Sequence, residues 1–224
     1  MIETNTIHLG DCLELMKEIS DKSIDLILTD PPYGMKFQSN YRMEKHKKID
    51  NDNNLEWLSE YFNQINRIKK DDAHLYFFCS FHHIDKFKIE IEKHFKVKNI
   101  LIWFKNNTGM GDLYNDYAPE YEMIIYCNPN NKKLNGGRNS NILKYSRTNN
   151  ELHPTQKPLD LISFLISKSS NENDLVLDTF SGSGVLSIAC HNLKRNFICI
   201  EKDKDYYEAS VKRYNDAKRQ LKLF

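Results

Sequence analysis

The chain has 224 residues, 40% hydrophobic and 28% charged, with a formal net charge of +1. That length supports one large domain with a full core, and the near-neutral charge excludes a globally basic footprint, so any nucleic-acid surface must come from local clustering. The sequence shows no signal peptide and no apolar run long enough to span a membrane. Its five cysteines (Cys12, Cys79, Cys127, Cys190, Cys199) contain no C-x-x-C pair, so buried thiols in a reducing cytoplasm are expected, with no metal site.

Thr6-Ile-His-Leu reads as a short strand running into Gly10-Asp11-Cys12. Asp11 can cap the helix predicted over Leu13–Ile19, where Leu15, Met16 and Ile19 recur at helical spacing. Ile24-Asp-Leu-Ile-Leu28 is a continuous apolar run, expected as a buried parallel strand. It ends in Thr29-Asp30-Pro31-Pro32-Tyr33-Gly34. The prolines stop the strand because neither can donate a ladder hydrogen bond. Asp30 and Tyr33 are thereby presented at a strand's carboxyl end, where open α/β sheets place their ligands.

Residues 34–54 are polar and basic, carrying Lys36, Arg42, Lys45, His46, Lys47 and Lys48 between Phe37 and Tyr41. A structureless stretch of this length points to a functional, mobile arm, and interleaved aromatics suit nucleic acid. An amphipathic helix is expected over Leu55–Ile68. Then come strands at His74–Ser80 and Asn99–Lys105 around a helix at Ile84–His94, and a further strand at Glu120–Cys127. Residues 128–152, with Gly136-Gly137-Arg138, read as a loop-like insert. His153-Pro-Thr155-Gln156-Lys157-Pro158 opens a helix over Leu159–Ser169, since proline is accepted at a helix start.

Asp174–Phe180 is a buried strand, followed by Ser181-Gly182-Ser183-Gly184 and the helix Val185–Leu193. The glycines allow close backbone approach, and a helix N-terminus offers free N–H groups to an anion such as a carboxylate. Asn196–Glu201 is the next strand, and its terminal acid stands where a nucleotide-binding α/β unit accepts from ribose hydroxyls. The spacing is not G-x-G-x-x-G, which disfavours a dinucleotide. Asp203–Leu221 forms the last helix.

The D-P-P-Y segment suggests chemistry on an exocyclic amine. Such a nitrogen is a poor nucleophile because its lone pair is delocalised into the ring. Two acceptors on its N–H bonds, the Asp30 carboxylate and the Pro31 carbonyl, would localise that pair. Pro32 stiffens the backbone between them, and Tyr33 offers a face for a stacked base.

Together, D-P-P-Y, H-P-T-Q-K-P and D-x-F-x-G-S-G resemble the β group of DNA amino-methyltransferases, which use S-adenosylmethionine. The resemblance runs from Gly10-Asp11 to the final helix. It implies a Rossmann-like α/β fold whose seven-stranded sheet is mostly parallel, with Glu120–Cys127 antiparallel and the motif order circularly permuted. A single methyltransferase domain over 1–224 is expected. The resemblance places Asp178, Phe180, Ser181, Gly182, Ser183 and Gly184 along the cofactor. It puts Glu201, with Lys202 beside it, at the ribose and Asp11 with Cys12 near the adenine. Thr155, Gln156 and Lys157 fall at the methionine end. Asp30 stands between cofactor and base, and Asp30, Pro31, Pro32 and Tyr33 hold a base flipped out of the duplex.

No Pro-Cys dipeptide is present, so the thiolate needed for methylation at a cytosine carbon is missing. Adenine N6 and cytosine N4 remain, and the resemblance implies adenine, because an aspartate at the first position of D-P-P-Y is similar to the N6-adenine members. An RNA N6-adenine enzyme and a non-catalytic DNA-binding subunit are the competing readings. The insert at 128–152 is small for a target-recognition region, so Lys36, Arg42, Lys45, Lys47 and Lys48, with Arg138, are the expected contacts to double-stranded DNA. A homodimer or a cognate restriction endonuclease completes the set of expected partners.

Overall fold

The computed structural model describes residues 2–32, 57–106, 114–148 and 156–220. Its elements, in chain order, begin with β1 (Thr6–Leu9), α1 (Cys12–Met16), β2 (Ile24–Thr29), α2 (Leu58–Ile68), β3 (Lys69–Cys79), α3 (Ile84–Glu92) and β4 (Val97–Phe104). They continue with β5 (Tyr121–Cys127), β6 (Ile142–Lys144), α4 (Leu159–Ser169), β7 (Leu175–Asp178), α5 (Val185–Asn192), β8 (Asn196–Glu201) and α6 (Lys204–Gln220). All eight strands join one sheet in the order β1-β8-β7-β2-β3-β5-β4-β6. Only β5 runs against its neighbours β3 and β4.

The central strands read as continuous apolar runs because the sheet is covered on both faces. Every residue of β2 is buried. One face packs Leu26, Leu28, Tyr76, Phe78, Trp103 and Ile124 against α4, α5 and α6. The other packs Ile24, Ile27, Leu75, Phe77 and Ile125 against α1, α2 and α3. Burial of side chains such as Phe62, Phe77 and Phe197 contributes about 1.5–3 kcal/mol each.

The chain leaves β2 across one face, through α2, and leaves β7 across the other, through α5. The two strands are neighbours. A crevice therefore opens between their carboxyl ends, at the point where the connections diverge. β1 pairs in parallel with β8, Leu9 opposite Glu201, so the N-terminal strand follows the Glu201 strand in the sheet, as the permuted order requires.

Two features differ from expectation. The sheet has an eighth strand, β6, inside the stretch read as loop, paired in parallel with Ile102–Phe104. It has three residues, of which only Leu143 is buried, too few to carry a periodicity. And β3 begins at Lys69, five residues before the predicted start. The charged run Lys69–Asp72 extends past the apolar core and pairs with Ile24 across a register shift. No helix among the described residues is long and apolar enough to cross a membrane.

Candidate active site

The crevice is a cleft of about 770 Å³ bounded by Asp30, Pro31, Pro32, Gln156, Lys157 and the Asp178–Ser183 loop, with Asp11, Cys12, Glu201 and Lys202 at its β8 side. The two segments that form its floor are tied together. Thr29 Oγ1 donates to Asp178 Oδ1 at 2.8 Å, and Thr179 N donates to Thr29 Oγ1 at 3.3 Å. The Tyr61 hydroxyl lies 2.7 Å from Thr179 Oγ1, which anchors α2 to the same point. Phe180 N also donates to Asp178 Oδ1, at 3.1 Å. Burial pushes the Asp178 carboxyl up to about 7, against these hydrogen bonds.

The glycine loop is held from behind. Ser181 N donates to Ile200 O at 2.9 Å, and Gly182, at φ 49°, donates its N–H to Glu201 Oε2 at 2.7 Å. Glu201 Oε1 accepts from Asp203 N at 2.9 Å. The carboxylate is thus fixed by two backbone donors, while burial raises its pKa. Arg213, from α6, donates to Ser183 O at 3.0 Å. Gly184 does not face the cleft. It caps α5 in the left-handed conformation, φ 69°, and a Cβ there would come within 2.8 Å of Ser210 Cβ on α6. The absence of a Cβ here is required by helix packing.

Asp11 caps α1, its Oδ1 accepting from Leu13 N at 2.9 Å, and Lys202 Nζ lies 3.5 Å from its Oδ2. Burial, reinforced by Asp11, pushes the Cys12 thiol up to about 12, so it is an inert wall of the cleft.

The least expected feature is the partner of Asp30. Lys157 Nζ sits 2.6 Å from Asp30 Oδ2 and 2.8 Å from Glu122 Oε2. Lys105 Nζ closes the row, 2.6 Å from Glu122 Oε1. Register explains the convergence. Trp103 pairs with Glu122 across β4 and β5, and alternate residues share a face. Continuing the β2/β3 register by one residue sets Asp30 beside Phe78. Asp30, Glu122 and Lys105 therefore share the face of Phe78 and Trp103, and Lys157 reaches them from the start of α4.

Sequence reasoning passed over Lys105 and Glu122, since only the β4/β5 pairing relates them to Asp30. It also passed over Phe81, 50% exposed, and Tyr121, 40% exposed, which rim the cleft. Arg138 is not brought to this site. It follows a turn at Gly136 and Gly137, both at positive φ, that Lys168 Nζ pins by bonding Gly137 O at 2.7 Å and Asn135 O. Lys168 lies at the far end of α4 from Lys157, about 16 Å along an 11-residue helix. Tyr33, Lys36, Arg42, Lys45, Lys47, Lys48 and Thr155 lie outside the described residues.

A mostly parallel sheet with a glycine turn, an acid ending the next strand and an acid-proline-proline corner beside them is the arrangement of an S-adenosylmethionine-dependent methyltransferase. The chain belongs to the N6/N4 DNA methylase family, whose profile matches residues 24–212. It is 31% identical to the type II methyltransferase M2.MboI of Moraxella bovis over 249 residues, 96% of this chain and 89% of that one. It is 27% identical to the DNA adenine methyltransferase YhdJ of Escherichia coli K12, across 96% and 84% of the two chains. Among solved structures, M1.HpyAVI in complex with S-adenosylmethionine superposes with a TM-score of 0.71 at 30% identity, covering 93% of this chain and 98% of that one. The PvuII cytosine-N4 methyltransferase has the same fold, TM-score 0.75 at 17% identity, over 96% and 92%. The chain is thus a β-group DNA methyltransferase that takes its methyl group from S-adenosylmethionine.

Proposed function

We propose that the protein methylates the N6 amino group of an adenine flipped out of duplex DNA, with Asp30 and the Pro31 carbonyl as the two acceptors for the amine. The observation that carries this reading is the meeting of the Asp30-Pro31-Pro32 corner with the Asp178–Ser183 loop at the carboxyl ends of adjacent strands. A donor and an acceptor for the methyl group could stand side by side there.

The donor set fits the cofactor. Six carboxylates and four lysines line the cleft, an excess of negative charge that suits a sulfonium cation and repels a pyrophosphate. Glu201, fixed by Gly182 N and Asp203 N, would accept from the ribose hydroxyls. Phe180 would flank the adenine side, with Asp11, Cys12 and Lys202 beyond it, and the Asp178–Ser183 loop and Gln156 would face the methionine end. When bound, S-adenosylmethionine supplies an electrophilic methyl group.

A carboxylate offers about four acceptor directions, so Asp30 can accept from Lys157 and from the target amine together. The enzyme's contribution is position and fixed electrostatics. As the amine takes up that methyl group it would give up one proton, with Asp30 as its first acceptor. Tyr33 would stack the base, and Lys36, Arg42, Lys45, Lys47 and Lys48 would meet phosphates. The aspartate of D-P-P-Y favours adenine over cytosine, and one relative is named as an adenine enzyme.

Competition between duplex DNA, single-stranded DNA and RNA for transfer of labelled methyl tests the substrate. Duplex DNA should compete best, and preference for RNA would overturn the reading. Co-purification with a second copy or a nuclease would test the homodimer and restriction–modification settings, and the type II names of relatives favour the second of these.

A further inference from the structure

We propose that Lys157, Glu122 and Lys105 are positioning residues that hold Asp30 ionised and correctly aimed to accept the amine's N–H. The inference rests on the reading of Asp30 given above.

The four groups alternate in sign, Asp30, Lys157, Glu122, Lys105, at 2.6, 2.8 and 2.6 Å. The row is electrically neutral only when Asp30 carries its charge. It is also poorly hydrated. The Lys157 side chain is 6% exposed and that of Lys105 15%, and Lys157 Nζ rests 4.7 Å from the centre of the Phe78 ring. An unbalanced charge in such a place is costly, so Lys157, Glu122 and Lys105 together favour the charged form of Asp30. Burial disfavours the charge on Lys157, yet Asp30 and Glu122 outweigh it and hold the ammonium's pKa above its ordinary value. Burial likewise raises the Glu122 carboxyl, and Lys157 and Lys105 outweigh it to hold it well below the ordinary carboxylate range.

Buried ion clusters rarely stabilise a fold more than well-packed apolar residues would. This one sits at the carboxyl ends of β2 and β4 and the amino end of the antiparallel β5, where its worth would lie in orientation. Two carboxylates already occupy Lys157, which sets it apart from the cofactor-covering role that its motif implies. If its ammonium served the cofactor, loss of the charge would weaken cofactor affinity. If it serves Asp30, loss of the charge lowers turnover at saturating cofactor.

The test is steady-state kinetics on duplex DNA, with cofactor affinity by calorimetry and melting curves for each variant. Glu122→Gln should lower kcat at least tenfold, with cofactor Kd within twofold and the KM for DNA within threefold. Lys105→Gln should lower kcat severalfold, and the double variant no further than Glu122→Gln alone, because Lys105 acts only through Glu122. Lys157→Arg should recover part of the turnover lost in Lys157→Gln. Wild-type kcat in Glu122→Gln, or multiplicative losses in the double variant, would overturn the proposal. Should Glu122→Gln fail to fold, Lys105→Gln decides alone, and wild-type turnover there would be fatal to it. Asp30→Ala separates the two levels. If that variant still transfers methyl, the reading of Asp30 falls. If it is inactive while Glu122→Gln and Lys105→Gln are normal, only the positioning row falls.

Discussion

Asp178→Asn should make the protein more stable at pH 8 and remove one component of its pH dependence. Asp178 is 7% exposed, and burial lifts its carboxyl from the ordinary 3.8 to about 7. An acid with a raised folded-state pKa binds its proton more tightly when folded, so stability is greatest at low pH. It falls as pH rises from about 4 through 7 and is flat beyond. At about 1.4 kcal/mol per pH unit, the interval corresponds to about 4 kcal/mol at most, of which water in the open cleft screens a part. Asparagine keeps an Oδ1 acceptor for Thr29 Oγ1 and Phe180 N and carries no charge. If half the ceiling is realised, the variant gains about 2 kcal/mol at pH 8, or about 4–8 °C in Tm for a chain of this size. Calorimetric melts of both proteins from pH 5 to 8 give the difference directly. It should widen with rising pH, be already partly open at pH 5, and close only near pH 4. Parallel curves, or a less stable variant at pH 8, would refute the reasoning.

His74 contributes the opposite slope. It is fully buried between Ser169 Oγ, 2.8 Å from Nδ1, and Lys132 O, 3.2 Å from Nε2, and burial lowers its pKa below 6.5. Its neutral form is favoured in the folded state, so this contribution is complete above pH 6.5 and is lost as pH falls further. In the Asp178→Asn background, melts should show that acid slope, and His74→Gln should flatten it. Gly184→Ala combines a left-handed φ with a 2.8 Å clash against Ser210 and should cost about 2 kcal/mol or more in denaturant unfolding; an unchanged midpoint would contradict the packing described. Glu201→Gln leaves either Gly182 N or Asp203 N facing an amide N–H, so calorimetry should find cofactor affinity reduced about 10- to 100-fold. The five cysteines are buried and unpaired, so a thiol reagent should label none quickly in the native protein and all five after unfolding.

The fold was legible where burial was two-sided and the punctuation strong. The β2 run ending in Asp30-Pro-Pro and the β7-loop-α5-β8 unit ending in Glu201 fell within a residue or two of their predicted bounds. Continuous apolar runs stopped by proline or glycine carry their own boundaries. β6 escaped because three edge residues with one buried side chain produce no pattern. The acid and glycine motifs of the site were visible as strings. The row from Asp30 to Lys105 was not, because it depends on the register between β3, β5 and β4, which pairs residues from separate stretches of the chain. Gly184 shows the converse. A motif glycine that reads as part of a ligand loop is required by the approach of Ser210, some 26 residues later.

The most direct test of the central claim is mass spectrometry of nucleosides from the DNA of a methylation-free host expressing this chain, beside the same host expressing Asp30→Ala. N6-methyladenine with the wild-type chain alone is the predicted result. N4-methylcytosine in its place would contradict the base assignment, and N6-methyladenine surviving in Asp30→Ala would contradict the role given to Asp30.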